Sequence, residues 1–170
     1  FGILLISPIL IITAILLRFT GEGHIFYFQE RVGRNGVKFF LFKFATMRHD
    51  SPSLGAGDIT LSNDPRVLPV GRILRKSKIN ELPQLFNVLI GDMSLVGPRP
   101  LTPKNFDLYT DDIQRIIEKV RPGLTGVGSI FFRDEEKLSY GEPDPLSFYA
   151  ETIAPYKGDL EKWYIDNAST

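Results

Sequence analysis

Cysteine is absent from the 170 residues, and the sequence contains only two histidines and one tryptophan. The missing cysteines exclude a disulfide framework and favour a reducing or cytosol-facing location. His24 and His49 have neither the spacing of metal ligands nor a partner motif, so we assign them no role. The sequence also lacks internal repeats and low-complexity segments. A chain of this length and composition is expected to form one small domain with its own core.

Net charge is absent as well, because 20 acidic residues balance 20 basic ones, but the two signs are unevenly distributed. Residues 18–100 contain 12 Lys and Arg against 7 Asp and Glu, whereas residues 134–170 contain 3 against 9. The middle of the chain is therefore the part suited to binding anions, and the acidic end is expected to face solvent. We expect no nucleic-acid partner.

The first 17 residues, FGILLISPILIITAILL, carry no charge. A signal peptide is not expected, because Arg18 follows the apolar run and no small-residue cleavage site comes after it. As a helix the run extends about 25 Å, against ~30 Å for a hydrocarbon core. Pro8 favours a kink, and the Ser7 hydroxyl can bond a carbonyl that proline leaves unpaired. The pattern favours a membrane element, straight or re-entrant, over a core helix, and without an initiator Met we expect further sequence upstream.

The rest of the chain predicts an α+β domain with a short β-hairpin and several amphipathic helices. Residues 24–44 combine two aromatic and β-branched runs with the turn sequence GRNG, which is typical of a hairpin. Residues 49–58 are rich in Ser, Pro and Gly and predict a loop. Residues 105–119 predict a helix, residues 120–132 a loop leading into a short strand, and residues 143–166 one or two helices.

The best-bounded predicted element is a helix of about ten residues that is entered through Asn80 and Glu81. Its apolar stripe consists of Leu82, Leu85, Phe86 and Leu89. Asn80 is a favoured N-cap, and Pro83 falls in the first turn, where its missing N–H is tolerated. Gly91 supplies the stop.

Four charged side chains near this helix are candidates for a diphosphate site. Glu81 lies in the first turn, where the positive end of the helix dipole attracts phosphate. Arg75 precedes it in a basic run, and Arg99 follows between two prolines; the planar guanidinium suits phosphate oxygens. Asp92 is a candidate second carboxylate for Mg²⁺, which needs only one or two such ligands when phosphates and waters complete its shell. The residues alone thus indicate a diphosphate site that faces a membrane.

Each of these features also has a purely structural explanation. Asn80 can serve only as a helix cap, Glu81 as compensation for the dipole, and Asp92 as a cap of the following turn. The basic run can contact anionic lipid headgroups, at about 1 kcal/mol per charge. Pro98 and Pro100 can simply stiffen a loop. The residues by themselves leave both sets of explanations open.

Over nearly its whole length the sequence resembles the monotopic phosphoglycosyl transferases, or bacterial sugar transferases. The segments that match are the Ser7–Pro8 apolar run, FQERVGRNG, FKFATMR, NDPRVLPVGRILRKSKINELPQLFNVLIGDMSLVGPRP and VRPGLTG. The resemblance implies transfer of a sugar 1-phosphate from a UDP-sugar to undecaprenyl phosphate or a similar polyprenyl phosphate, with release of UMP. This is the first membrane step of bacterial glycan assembly.

The resemblance also implies an organisation for the chain. Residues 1–20 would form a re-entrant helix broken at Ser7–Pro8, with both ends on the cytoplasmic face of the bacterial inner membrane. Residues 21–133 would form the catalytic core. Residues 134–170 would be a variable C-terminal part that shapes the sugar pocket or an oligomer contact, and the oligomeric state, a homodimer included, is left open.

Family members begin the predicted helix with an Asp–Glu pair, in which Asp attacks the sugar-bearing phosphate and Glu binds Mg²⁺. By position, the resemblance makes Glu81 the metal ligand, and Arg75 and Arg99 phosphate or nucleotide contacts. Lys43 becomes a further basic contact. The chemistry is consistent, since a carboxylate can form a phosphoryl intermediate while metal and arginines neutralise the oxygens.

Asn80 departs from the family pattern, because it occupies the position of the nucleophilic Asp. A neutral amide is a poor nucleophile, although it suits a helix cap. Three explanations stay open: an introduced inactivating substitution, a natural variant in which Glu81 or the polyprenyl phosphate itself attacks, and a natural inactive protein. Two other classes of function therefore stand beside the enzyme, a membrane scaffold that binds nucleotide sugar and a peripheral domain that binds only anionic lipid.

Overall fold

A computed structural model describes residues 2–51, 64–133, 138 and 142–168. The helices are α1 (Gly2–Thr20), α2 (Pro69–Lys76), α3 (Gln84–Ile90), α4 (Pro103–Phe106), α5 (Asp111–Ile117), α6 (Val127–Phe131), α7 (Pro145–Phe148) and α8 (Ala154–Asn167). The strands are β1 (Phe26–Val32), β2 (Lys38–Phe44), β3 (Ser94–Val96) and β4 (Gly123–Thr125). This mixture of helix and strand confirms the predicted α+β class.

Helix α1 is apolar and largely uncovered by the described part of the chain. By length and composition it is the one helix among the described residues that is suited to crossing a membrane. Its 19 residues extend about 28 Å. Only Thr13 and Leu17 are buried, whereas Leu5 and Phe19 are 80% and 82% exposed. An apolar surface of this extent marks an interaction surface.

Pro8 lies within α1, which continues from Gly2 to Thr20. The Ser7 hydroxyl donates a hydrogen bond to the Leu4 carbonyl at 2.8 Å. That carbonyl is the acceptor that an N–H at position 8 would have bonded. The predicted bond from Ser7 is therefore confirmed. A break at Ser7–Pro8 is not shown, because the hydroxyl replaces the missing donor and the helix continues.

The predicted hairpin is confirmed: β1 and β2 are antiparallel, and their register pairs Phe26 with Phe44. The GRNG turn places Asn35 at φ 59° and Gly36 at φ 72°, a conformation that these two residue types adopt readily. The Asn35 N–H donates to the Glu118 carbonyl at 2.7 Å, which ties the turn to the end of α5.

A side chain closes the outer edge of β2 in place of a third strand. Asn87 of α3 is fully buried, accepts from the Phe42 N–H at 3.0 Å and donates to the Phe40 carbonyl at 2.8 Å. These bonds satisfy strand groups that would otherwise be unpaired and buried. The same amide donates to the Asp92 carboxylate at 3.3 Å. Helix α3 is thereby docked against the hairpin.

Three glycines, Gly97, Gly123 and Gly126, allow close packing between the GPRP segment (residues 97–100) and the PGLTG segment (residues 122–126). Strands β3 and β4 pair in parallel, and the Gly123 N–H donates to the Pro98 carbonyl at 2.7 Å. A Cβ atom on Gly123 would collide with the Gly97 backbone, and one on Gly126 would collide with the Gly97 carbonyl oxygen. Only glycine allows two backbones to approach this closely. The backbone that leads into Arg99 is fixed in this way.

The helix predicted over residues 105–119 is divided in the structure, since α4 ends at Phe106 and α5 begins at Asp111. The Gln114 side chain donates to the carbonyls of Phe106 and Tyr109, at 3.1 and 2.8 Å, and stabilises the break between the two helices. A helical period alone does not reveal such a side-chain bond.

Two other predictions concern the C-terminal half. The strand expected at the end of residues 120–132 lies earlier, in β4, and residues 127–131 are helical. The helices expected over residues 143–166 are confirmed as α7 and α8, joined by a π-helical turn at Tyr149–Ile153. Most of the loop predicted over residues 49–58 falls outside the described residues.

We expect Asn87→Ala to lower the free energy of unfolding by about 2–4 kcal/mol, because it leaves two partly buried backbone groups of β2 without these partners and empties the buried position of the amide. Thermal or denaturant unfolding in detergent micelles would measure the loss. Asn167→Ala is the matched control, since the Asn167 amide makes one exposed bond, to the Trp163 carbonyl. Equal stability of the two variants would contradict the proposed role of Asn87.

Candidate active site

Glu81 and Arg99 form a direct ion pair, with 3.0 Å between Oε1 and Nη2. The Glu81 side chain is 16% exposed and the Arg99 side chain 35%. Burial by itself would raise the pKa of Glu81, but the Arg99 and Lys43 charges outweigh burial and lower that pKa to about 2. Glu81 is therefore ionised at neutral pH. The predicted proximity of Glu81 and Arg99 is confirmed.

Lys43 lies beside this pair on β2, in a region crowded with positive charge. Burial is the largest cause that lowers the pKa of Lys43 well below its usual value, and the charges of Arg31, Arg99 and Arg75 lower it further. Glu81 opposes them. One carboxylate thus faces several cations, which we call the basic cluster: Lys43, Arg31, Arg75 and Arg99. A partly buried surplus of positive charge is suited to binding an anion with more than one negative charge.

Arg31 belongs to this cluster, although its sequence context predicts no role for it. Its Nη1 atom donates to the Pro100 carbonyl at 3.0 Å, and its Nη2 atom donates to the Gln29 side chain. The next residue, Val32, donates its N–H to the Leu101 carbonyl at 2.9 Å. The end of β1 is therefore bonded to the end of the GPRP segment and to the residue that follows it. The available signal was the position of Arg31 in FQERVGRNG, a segment that resembles the family.

The helix predicted to start at Asn80–Glu81 starts instead at Gln84. Asn80 and Glu81 lie in a preceding 3₁₀ turn, Ile79–Glu81, which follows Lys78 at φ 60°. The N–H groups of Leu82 and Leu85 donate to carbonyls three residues earlier, at 3.1 Å each. The N–H of Leu82, which an Asn80 cap would have bonded, is thus taken by the Ile79 carbonyl, and because Asn80 Oδ1 accepts no bond from the described residues the N-cap prediction is wrong.

Two buried amide side chains beside Glu81 each have an unused polar atom. Asn80 is 6% exposed, and its Oδ1 accepts no hydrogen bond from the described residues. Gln84 is 2% exposed, and its Nε2 donates none to them. Because buried polar atoms nearly always find partners, these two atoms are candidates for contacts with a ligand.

The apolar stripe of α3 faces outward. Within the stripe Phe86 and Leu89 are exposed and Leu82 and Leu85 are half-buried, whereas the buried side chains of this helix are the polar Gln84 and Asn87. The period of the stripe was predicted correctly, but its direction is the reverse of that in a helix packed on an apolar core. The inner face of α3 is polar because it contacts the strand edge and the site.

An apolar groove of about 260 Å³ lies between α1, the hairpin and α3. Its walls include Leu10 and Ala14 from α1, Phe26 and Phe44 from the hairpin, and Pro83 and Phe86. Pro83 comes two residues after Glu81, and Phe44 comes directly after Lys43. The groove and the basic cluster are therefore built on neighbouring residues of the same elements, although Lys43 and Phe44 point to opposite faces of β2.

Asp92 is placed away from Glu81 along α3. Glu81 precedes the helix and Asp92 follows it, and seven helical residues span about 10 Å. The Asp92 carboxylate accepts from the Asn87 amide. No group of three or more His, Cys, Asp or Glu side chains suited to a metal ion occurs among the described residues. The structure thus brings Glu81, Lys43, Arg75 and Arg99 together and leaves Asp92 apart.

A carboxylate within a basic cluster, with an apolar groove and an exposed apolar helix built on neighbouring elements, is an arrangement suited to an anionic ligand and an apolar one. The chain belongs to the bacterial sugar transferase family, whose model matches residues 1–170. The resemblance noted in the sequence is confirmed.

Named relatives are similar over most of this chain. The exopolysaccharide production protein ExoY of Rhizobium meliloti is 37% identical over 148 residues, 79% of this chain and 65% of the relative. The UDP-N-acetylgalactosamine-undecaprenyl-phosphate N-acetylgalactosaminephosphotransferase of Aeromonas hydrophila is 40% identical, over 72% of this chain and 29% of the relative. The UDP-glucose:undecaprenyl-phosphate glucose-1-phosphate transferase of Caulobacter vibrioides is 41% identical, over 74% and 48%. The matched region thus spans less than two thirds of each relative.

The affinity for UDP, used as a diphosphate probe, is expected to fall as pH rises from 7 to 10. Lys43 has a lowered pKa in the free protein and must be protonated to attract the anion, so binding above that pKa requires proton uptake. Calorimetric titration at several pH values would measure this dependence.

Two variants control the pH experiment. Lys43→Arg stays charged and should show a flatter profile than the wild type. Lys38→Met should behave as the wild type, because Lys38 pairs with Glu30 on the exposed surface of the same hairpin. A wild-type profile as flat as that of Lys43→Arg would contradict the role of Lys43.

Proposed function

We propose that the protein transfers a sugar 1-phosphate from a UDP-sugar to a polyprenyl phosphate such as undecaprenyl phosphate, and releases UMP. The observation that carries the proposal is the combination of two environments built on neighbouring residues: the Glu81–Arg99 pair within the basic cluster, and the apolar groove lined by Phe44 and Pro83. A water-soluble diphosphate needs the first environment and an isoprenoid chain needs the second. The names of the relatives support this pairing of substrates.

The donor diphosphate is bound by the basic cluster. Arg75 and Arg99 present planar guanidinium groups to the phosphate oxygens, and Lys43 adds a charge that is only partly hydrated. In the reaction, an oxygen of the polyprenyl phosphate becomes bonded to the phosphorus next to the sugar. The bond from that phosphorus to the bridging oxygen breaks, and UMP leaves with the bridging oxygen. The cluster stabilises the charge on both phosphates as this exchange proceeds.

Glu81 is the proposed ligand for Mg²⁺, with the unpartnered Asn80 Oδ1 as a further oxygen donor. One carboxylate and one amide oxygen fit Mg²⁺ when substrate phosphates and waters complete the shell. The ion, when bound, neutralises charge on the phosphate oxygens. The surrounding cations disfavour a bare divalent ion. We therefore expect the metal to enter together with the diphosphate, and we expect no direct contact with Asp92.

The acceptor lipid is proposed to place its first isoprene units in the apolar groove, with α1 in the bilayer. The exposed apolar residues of α3 extend the same surface. The absence of cysteine agrees with a site on the cytoplasmic face of the bacterial inner membrane. A re-entrant α1 with both ends on that face is part of this proposal.

A second candidate function rests on Asn80, the residue at the position of the family's nucleophilic Asp. A protein that binds the donor and lacks a nucleophile would act as a nucleotide-sugar-binding membrane scaffold. The Asn80 side chain is buried and its oxygen has no partner, so an aspartate would fit the same space. The exchange between Asn and Asp is therefore expected to change the chemistry without changing the fold.

Release of UMP from UDP-sugars in the presence of undecaprenyl phosphate and Mg²⁺ separates the two functions. If the chain is an active transferase, Glu81→Ala should lower turnover about 100-fold or more, because it removes the metal ligand. Asp92→Asn is the control and should stay close to wild type. If Asn80→Asp raises turnover by about 100-fold or more, Asn80 is an inactivating residue and the family chemistry needs the carboxylate.

Other results of this assay count against the enzyme. Binding of UDP-sugar with no UMP release from either the wild type or Asn80→Asp would favour the scaffold. Indifference of the protein to UDP-sugars would leave a domain that binds only anionic lipid. Equal losses in Asp92→Asn and Glu81→Ala would show that both carboxylates are needed, against the placement proposed here.

The topology of α1 can be tested because the chain contains no cysteine, so one introduced thiol reports only its own position. In sealed inverted membrane vesicles, a membrane-impermeant maleimide is expected to label Gly2→Cys and Lys162→Cys equally. Labelling of Gly2→Cys only after the vesicles are opened would indicate a helix that crosses the membrane, against a re-entrant one.

A further inference from the structure

Helix α8 buries a carboxylate behind the GPRP segment. Glu161 is 3% exposed, although its sequence neighbours Asp159 and Lys162 are exposed. Its Oε1 atom accepts from the Arg99 N–H at 3.5 Å, and the Gly128 N–H also donates to this carboxylate. Its Oε2 atom accepts no hydrogen bond from the described residues.

The stability of the fold does not explain an acid in this place. Burial raises the pKa of Glu161 to about 7, and the bonds from Arg99 and Gly128 and the charge of Lys157 offset burial only in part. A glutamine side chain of similar volume would accept the same N–H bonds and avoid the cost of desolvating a carboxylate. A buried acid with one unused oxygen therefore calls for another explanation.

Glycine at position 128 lets the Glu161 carboxylate approach the backbone of α6 closely. A Cβ atom on residue 128 would collide with Glu161 Oε1, so any other residue there would have to displace the carboxylate. Lys157, one turn earlier in α8, is also buried, and its ammonium lies 5.3 Å from the Phe132 ring and 5.4 Å from the Tyr149 ring. The carboxylate, which extends from α8, is thus bonded by an N–H group of α6 and by one of the GPRP segment.

Arg99 links this buried acid to the active site. Its backbone N–H bonds Glu161, and its side chain bonds Glu81 at 3.0 Å. The prolines on either side restrict rotation of the adjoining backbone, and the Gly97–Gly123 contact fixes it from the other direction. The Arg99 peptide therefore has a defined position, and the contact from α8 is one of those that define it.

We propose that Glu161 is a positioning residue for Arg99, which holds the Arg99 peptide where its guanidinium reaches both Glu81 and a bound diphosphate. The C-terminal segment then takes part in the site, whereas the sequence predicted a variable region for sugar recognition or oligomer contacts. The proposal rests on the proposed function only in that the ligand of Arg99 is a diphosphate. The affinity for UDP therefore tests it, whether or not transfer occurs.

The test compares UDP affinity and Tm in Glu161→Leu, Glu161→Gln and the control Asp159→Leu. Loss of the acceptor in Glu161→Leu should weaken UDP binding about 10-fold, the size of one hydrogen bond, and the Tm reports separately how far the unpaired Arg99 and Gly128 N–H groups destabilise the fold. Glu161→Gln keeps an oxygen acceptor and should restore most of the affinity. Asp159→Leu, an exposed acid on the same helix, should bind UDP as the wild type does.

A double-mutant cycle with Arg99→Ala tests whether Glu161 acts through Arg99. If it does, Glu161→Leu should cause no further loss of UDP affinity once the guanidinium is absent. Additive losses, or wild-type affinity in Glu161→Leu, would overturn the proposal. Normal UDP binding without transfer by Asn80→Asp would overturn only the proposed function, and a wild-type protein that does not bind UDP would overturn both.

Discussion

The ion pair between Glu81 and Arg99 is the interaction on which the rest of the structure depends. Glu81 comes from the turn before α3, and Arg99 comes from the segment after β3. The position of Glu81 is supported by the Asn87 bonds that dock α3 on β2. The position of Arg99 is supported by the glycine contacts around β3 and β4. The pair is therefore the point at which two separately supported parts of the chain meet.

The surplus of positive charge around the Glu81–Arg99 pair makes the site suited to binding an anion. A lone ion pair would be electrically complete, but Lys43, Arg31 and Arg75 leave this site with a positive surplus. Taking such charges out of water costs free energy unless an anion compensates them. The same polar interior explains the reversed α3, which turns its amides inward and its apolar side chains outward. One physical constraint thus produces both the anion site and the apolar surface next to it.

Local chemistry was predicted well where neighbouring residues decide it. The GRNG turn, the Ser7 bond to a carbonyl one turn away, and the glycine end of α3 all follow from residues within a few positions of one another. The Asn80 cap was predicted wrongly, because 3₁₀ bonding removed the donors that it would have capped. Arg31 and Glu161 were missed for another reason. Their partners lie 69 and 62 residues away in the chain, and no local pattern encodes such a contact.

The sequence by itself determined the family, the hairpin, the apolar first helix and the residue types of the site, because motifs and periodicities are local properties. Only the tertiary structure decided which face of α3 is buried and that Asp92 lies apart from Glu81. It also decided that the Glu161 carboxylate of α8 contacts the Arg99 backbone. The physical reason is that burial and charge balance depend on what the rest of the chain places nearby. A Glu or Asn side chain on the surface is bonded by water, whereas the buried Glu161, Asn80 and Asn87 depend on the groups that the fold places beside them.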